Sequence, residues 1–332
     1  MNALRLSLMG VIASAILALP VFAADLGDAA PALKVEKWIK GGPVDVKDGK
    51  NVYVVEFWAT WCAPCRASIP HLTELQKTYK DKGVVVVGVS VDEGEKRKTR
   101  DKVEPFVQEN GDKMSYAVAL DEPDRPTKAA YMEGFVFDGI PTAFVIDKSG
   151  KVVWAGQPDE TPGAGVVWSG LDQAVEQVVA GKYDLKAAQQ ADKDRRVLVE
   201  KRRKAMEAAD KYLAAVKASE KPEGVEKLGQ DALAALGQDA DLLNGFAWSI
   251  LTDEDVKLRD LKFALQVAKA AYDACAGKQA AIIDTYARAL FDNGQKKEAL
   301  AYQKKAVQLA GDDEPSRADL EATLKRYEAA QK

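Results

Sequence analysis

Cys62 and Cys65 stand two residues apart in the stretch EFWATWCAPCRASIPHL, residues 56–72. A zinc site needs four ligands, and beyond this pair the chain offers only Cys275 and a single histidine, His71, so zinc does not fit. Haem attachment needs histidine directly after the second cysteine, where Arg66 stands. A purely structural disulfide would close a ring too short to remove much chain entropy. Reversible thiol–disulfide chemistry has positive support. A helix starting near Ala63 would put both sulfurs on its first turn and Cys62 at its N-terminus, where unpaired amides and the helix dipole favour a thiolate. Pro64 suits that early position, because its missing N–H costs nothing there. Trp58 and Trp61 would wall the site and leave one sulfur exposed.

Glu56 is the second chemical feature. It interrupts the apolar run NVYVVEFWA six residues before Cys62. A charge in a strand covered on both faces is costly unless it has a role. One reading puts it at an edge or in an ion pair with lysine. The other makes it a desolvated carboxyl that exchanges a proton with Cys65 while a mixed disulfide resolves.

The elements that must position these groups fall in residues 24–183. NVYVVEFWA and VVVVGVSVD read as strands buried on both faces. TAFVID and KVVWAGQ flank Lys148-Ser149-Gly150 as a hairpin. Helical patterns lie at Cys65 to Lys80 and Lys96 to Glu109. This order predicts a mixed sheet with helices on both faces, an α/β domain. The 332 residues exceed one ordinary core, so a second domain is expected. From Leu185 strand signals vanish. Residues 184–223 read as a charged, solvated helical connector and 224–332 as an all-α domain. There Phe246-Ala247-Trp248 parallels Tyr286-Ala287-Arg288, each expected to open a helix. Ala264 and Ala271 are matched 35 residues on by Ala299 and Ala306, and Gly294 marks a turn. The unit resembles tetratricopeptide (TPR) repeats, with TDEDVKLRD lengthening the first.

Residues 1–23 carry Arg5, an apolar run and Val21-Phe22-Ala23, the pattern of a cleaved secretory signal peptide. That run is short for a membrane span, and no later segment is long enough. The expected product is exported and soluble, in a bacterium periplasmic, where thiols meet an oxidising environment. Hydrophobic residues make up 47% and charged residues 30%, a globular rather than disordered balance. A net charge of −4 gives a nucleic-acid role no electrostatic footprint.

WCAPC after EFWAT, with GIPTAFVID downstream, resembles the thioredoxin superfamily. VVVVGVSVDE and IDKSGKVVWAG resemble its exported TlpA/ResA-like redoxin branch. The resemblance covers residues 30–180. It implies a thioredoxin fold, Cys62 as nucleophile, Cys65 as resolving thiol, and a cis Ile140–Pro141 peptide beside the disulfide. Trp61, Pro64 and Ile140 would then meet the substrate, and Pro141 would expose backbone for pairing with an extended segment. Two departures stand out. Ser68 occupies a position where many of this branch carry glutamate, and Glu56 one where many carry asparagine. In this respect Glu56 resembles the acid of thioredoxin itself, which implies that it is the proton-handling group. YMEGFVFDGIP is longer than usual and reads as an extended helix end.

His71 reads as helix surface, Cys275 as a free core cysteine, and Trp154 and Trp168 as packing residues. The function expected is a thiol:disulfide oxidoreductase that reduces client disulfides without cofactor or metal. Electrons would come from a membrane thiol reductase, and the helical half would recruit a protein partner. The alternatives are a binding or assembly module with a redox-sensing pair, and a thiol peroxidase.

Overall fold

The computed structural model describes residues 24–94, 99–161, 165–220, 222–311 and 317–330. The secretory pattern at 1–23 and the start of the helix expected from Lys96 lie outside them. The chain divides into two compact units at Asp194/Arg195.

In the first unit the strands are β1 (Val35–Lys40), β2 (Val52–Trp58), β3 (Val84–Ser90), β4 (Ala117–Asp121), β5 (Thr142–Ile146) and β6 (Val152–Gly156). They form one sheet in the order β1-β4-β3-β2-β5-β6. β2, β3 and β4 run parallel, while β1, β5 and β6 pair antiparallel to their neighbours. This is the thioredoxin-like α/β arrangement. The apolar runs at 52–58 and 84–90 are two of the three inner parallel strands, buried along nearly their whole length. That explains why they read as continuous rather than alternating. Less apolar β1 lies at an edge and left no comparable pattern. β4 left none either, because it is a buried strand of only five residues.

Helix α1 (Ala63–Tyr79) and helix α2 (Val103–Asn110) cover one face of the sheet through Ile69, Leu72, Val103 and Val107. The short helix α3 (Pro126–Lys128) runs into a π-helical turn, Ala129–Glu133, whose Tyr131 and Met132, with Phe135, pack on the other face. The long segment YMEGFVFDGIP therefore begins as a helix end, with Tyr131, Met132 and Phe135 set into the core. A small hairpin, β7 (Asp159–Thr161) and β8 (Gly165–Val167), precedes α4 (Ser169–Val179), which returns to the α1 face with Leu171, Ala174 and Val175.

Helix α5 (Leu185–Ala218) contains the point where the units divide. Its first turns pack Leu185 and Ala188 on the sheet domain, and Gln189 donates to Leu26 O at 2.6 Å. Its last turns bury Ala205, Ala209, Tyr212 and Val216 in the second core. The solvated-connector reading thus describes only the stretch between. Charge interleaving marked α5 as helical, but its buried alanines gave no apolar stripe.

The second unit continues with α6 (Val225–Leu236), α7 (Ala240–Thr252), α8 (Leu261–Ala274), α9 (Ala280–Asp292), α10 (Lys296–Leu309) and α11 (Arg317–Ala329). α7 packs with α8, α8 with α9, α9 with α10, and α10 with α11. Asp239 and Asp260 cap α7 and α8, accepting from Leu242 N at 3.2 Å and Phe263 N at 3.0 Å. Ala264, Ala271, Ala299 and Ala306 are wholly buried, which lets neighbouring helices approach closely. Phe246 and Tyr286 stand mid-helix rather than opening α7 and α9. Gly294 makes the α9–α10 turn at φ 78°.

Phe144 is the hub of the π-turn face, with ring contacts to Phe57, Tyr131, Phe135 and Phe137 at 5.1–5.8 Å. Phe144→Ala should cost about 3–5 kcal/mol, read as a lower midpoint in urea unfolding of the sheet domain.

Candidate redox site

The site is built where the central strand β2 turns into α1. Cys62 is the N-cap of α1, with extended backbone at φ −80°, ψ 105°, and Pro64 lies in the first turn. Cys62 and Cys65 are joined by a disulfide, Cα to Cα 5.3 Å. The Cys65 amide donates to Cys62 Sγ at 3.2 Å, so the first cysteine receives a helix amide that would otherwise lack an acceptor. Ile140 O lies 3.8 Å from the same sulfur, and the Ile140–Pro141 peptide is cis. Spacing alone placed α1; only the resemblance foresaw the Ile140 approach. Cys62 is 4% exposed and Cys65 1%. The expected contrast between an exposed and a hidden sulfur is small, and Trp58 is itself buried in the same core cluster. Trp61, Ala63, Pro64 and Arg66 are exposed around Cys62, while Ile140 is half-buried and Pro141 buried.

Glu56 sits in the middle of the sheet, paired with Gly88 of β3 and Ala143 of β5. It is 1% exposed, and Oε1 has no hydrogen-bond partner among the described residues. The edge and lysine-pair readings are therefore set aside. Burial holds its carboxyl well above the usual range. It shares the sheet face of Val54 and Trp58, the face that packs with Cys62 and Cys65.

A second buried carboxylate escaped the sequence reading. Glu93, just past β3 and 2% exposed, accepts from Thr60 N at 2.5 Å and Ser90 Oγ at 3.2 Å through Oε1, and from Thr60 Oγ1 at 3.0 Å through Oε2. Thr60 is two residues before Cys62, so Glu93 fastens the cysteine turn to the end of β3. Its neighbour Asp92 adds a second tie, its carbonyl accepting from Trp61 Nε1 at 3.2 Å. The Asp92 carboxylate is raised by burial but held below its ordinary range overall, because Lys128 and Arg125 donate to it. The acids of SVDE were visible in the sequence only as a strand end.

Two further residues hold the site. Ser68, buried on α1, donates to Pro64 O at 3.2 Å and accepts from Trp168 Nε1 at 2.9 Å. The serine that replaces the family's glutamate thus anchors α1 to a tryptophan at the start of α4. Gln157 Nε2 donates to Asp138 O at 2.8 Å, Gly139 O at 3.3 Å and Thr142 Oγ1 at 3.1 Å, bracing the loop that carries Ile140 and Pro141. Trp154 is half-buried against Gly156 and Gly170.

His71 is not a free surface residue; Nε2 lies 2.9 Å from Asp172 Oδ1 on α4. Cys275 caps the end of α8, partly rather than fully buried, its thiol donating to Tyr272 O at 3.3 Å. No group of three or more His, Cys, Asp or Glu placed to hold a metal occurs among the described residues.

A cysteine pair at the head of α1 on this sheet defines a thioredoxin-like thiol-disulfide oxidoreductase. Residues 26–155 match the AhpC/TSA family. The thiol-disulfide oxidoreductase ResA of Bacillus anthracis is 35% identical over 130 residues, 39% of this chain and 67% of that protein. ResA of Bacillus cereus (strain ZK / E33L) is 36% identical over 132 residues, again 39% and 67%. A solved thiol:disulfide interchange protein of the thioredoxin family from Chlorobium tepidum TLS is 27% identical, covering 47% of this chain and 98% of its own, with a TM-score of 0.36. The chain belongs to the family of ResA-like thiol-disulfide oxidoreductases.

Glu56 stores a pH-dependent cost. Its folded-state pKa is raised, so the native state keeps a proton that the unfolded chain releases. Stability is therefore full below the unfolded carboxyl pKa and falls as pH rises through the interval up to the folded pKa, by about 1.4 kcal/mol per pH unit. Glu56→Gln should remove that slope. Urea titrations from pH 4 to 8 should show the variant gaining on the parent as pH rises and matching it near pH 4.

Proposed function

We propose that the protein is an exported reductase of disulfides in client proteins, with Cys62 as nucleophile and Cys65 as resolving thiol. The observation that carries this is the N-cap position of Cys62, whose sulfur receives the Cys65 amide. The same amide and the helix dipole would stabilise a Cys62 thiolate in the reduced pair. That thiolate attacks one sulfur of the client disulfide and expels the other as a thiolate. Cys65 then loses its proton to Glu56 and attacks Cys62 Sγ, releasing the second client thiol. Two electrons pass to the client, and the chain is left with the Cys62–Cys65 bond. The deprotonating role suits a carboxyl whose burial holds its pKa well above the usual range.

Trp61 and Pro64 offer the client an exposed apolar rim, and the backbone at Ile140 and Pro141 offers an extended segment something to pair with. Reduction as the direction rests on the Ala-Pro spacer and on Ile140, which resemble reducing members of the superfamily. Export, and a periplasmic location, rest on the pattern at residues 1–23. No helix among the described residues is long and apolar enough to cross a membrane. A membrane thiol reductase would restore the pair. We read 24–183 as the redox domain and the helices from 224 onward as TPR-like repeats that select the client or dock another protein. The packed pairs α7–α8 and α9–α10 support that reading.

Cys62→Ser should abolish insulin-disulfide reduction; retained turnover would remove the proposal. Cys65→Ser should stall the mixed disulfide, so that clients migrate with the protein on non-reducing gels and are freed by dithiothreitol. If the helices select clients, a chain cut after Asp194 should still reduce insulin while capturing fewer clients in the Cys65→Ser background. An unchanged set of captured clients would assign the helices another task.

A further inference from the structure

Six buried side-chain polar atoms have no hydrogen-bond partner among the described residues, and three of them, Glu56 Oε1, Trp58 Nε1 and Tyr116 Oη, belong to one face of the sheet. Glu56 and Trp58 are neighbours on that face of β2, and Tyr116 stands directly ahead of β4 within the same core cluster. Gly88 of β3 lies between them. It is the register partner of Glu56. A Cβ at residue 88 would stand 3.1 Å from Trp58 Nε1 and 3.1 Å from the Tyr116 ring. The glycine thus lets the indole and the phenol ring close over the sheet beside Glu56, which gathers an acceptor, a donor, and a hydroxyl that can be either.

A concentration of this kind needs a physical account, because each buried polar atom left unpaired costs about 1–3 kcal/mol. We infer that Glu56, Trp58 and Tyr116 form one hydrogen-bonding chamber beside Gly88, in which a water molecule joins the three side chains, and that Tyr116 is thereby a positioning residue that sets how tightly Glu56 holds its proton. A water there accepts from the indole N–H and the tyrosine O–H and donates to Glu56 Oε1, three of the bonds a buried water ordinarily makes. The titratable groups facing Glu56 are Tyr116 from the start of β4, and Cys62 and Cys65 from α1, when reduced. Its neighbours on β3 and β5, Gly88 and Ala143, do not titrate. Burial and then the charge on Glu56 hold the Tyr116 hydroxyl far above its ordinary pKa. Tyr116 therefore remains a donor throughout the working range, so its bond favours ionised Glu56 and opposes the desolvation that favours the neutral form.

The inference rests on the proposed proton-handling role of Glu56, and the variants separate the two. In full-length protein, the single-turnover rate at which Cys65 resolves a preformed mixed disulfide is followed from pH 5 to 9. Glu56→Gln should erase one inflection of the profile and so assign it. Tyr116→Phe deletes one oxygen and should move that inflection upward by about one pH unit, because the charged form loses a donor. Gly88→Ala pushes the indole and the tyrosine ring out of place and should move it the same way. A tyrosine that only packs would alter the melting temperature and leave the inflection in place, and that result would overturn the inference. Should Gly88→Ala fail to fold, Tyr116→Phe decides alone. An inflection that survives Glu56→Gln would sink the role of Glu56 and the chamber with it.

Discussion

The amide of Cys65 points at the sulfur of Cys62, and the chemistry of the site depends on that bond. An amide in the first turn of a helix has no partner within the helix, so some acceptor must be found for it. Here the acceptor is a cysteine sulfur, a weak one when neutral and a strong one when ionised. The bond therefore favours the thiolate over the thiol, as does the helix dipole, which is worth about 0.3–1 kcal/mol at an exposed end and up to about 2 when partly buried. Opposing this is desolvation: at 4% exposure Cys62 has lost most of its water. A thiolate is compatible with such cover only if the amide stays aimed, so the rest of the site has to hold the turn still.

That demand accounts for the different treatment of two buried acids. Glu93 receives three hydrogen bonds, and all its donors belong to Thr60 and Ser90, which makes it a clasp between the cysteine turn and β3. Glu56 Oε1 receives none among the described residues. A carboxylate given three donors is suited to holding a backbone. A carboxyl left without them in an apolar sheet resists ionisation, and its pKa rises. Ser68 and Gln157 extend the clasp on either side. One ties α1 to Trp168, the other stiffens the loop that brings Ile140 O to the sulfur.

What was legible in the sequence follows from the range of the interactions involved. The strands at 52–58 and 84–90 were readable because burial on both faces demands apolar residues without a break. The head of α1 was readable because Cys62, Pro64 and Cys65 lie within four residues. Glu56 was readable because it violates the pattern of its own strand. Glu93 was not, since an acid beyond a strand end looks the same whether it faces solvent or a backbone amide 33 residues away. The pairing of Ser68 with Trp168 spans 100 residues, and that of His71 with Asp172 spans 101; each partner alone resembles ordinary helix composition. The buried end of α5 was missed for another reason. Alanine at 205 and 209 carries too little apolar area to stand out from a charged helix, although such small residues allow close helix packing.

The placement of Glu56 is also a statement about sheet design. Leucine or valine there would complete the apolar run between Gly88 and Ala143 and relieve the desolvation cost that the carboxyl imposes. The residues flanking it, Gly88 and Ala143, are among the smallest available. Trp58 and Tyr116, large aromatics with polar tips, close over Gly88 on the same face and bring further hydrogen-bonding atoms to it. Three polar groups without partners among the described residues do nothing for stability beneath the cysteine helix. Their place on the face that packs against the cysteines is the place that the proposed proton exchange at Glu56 would need.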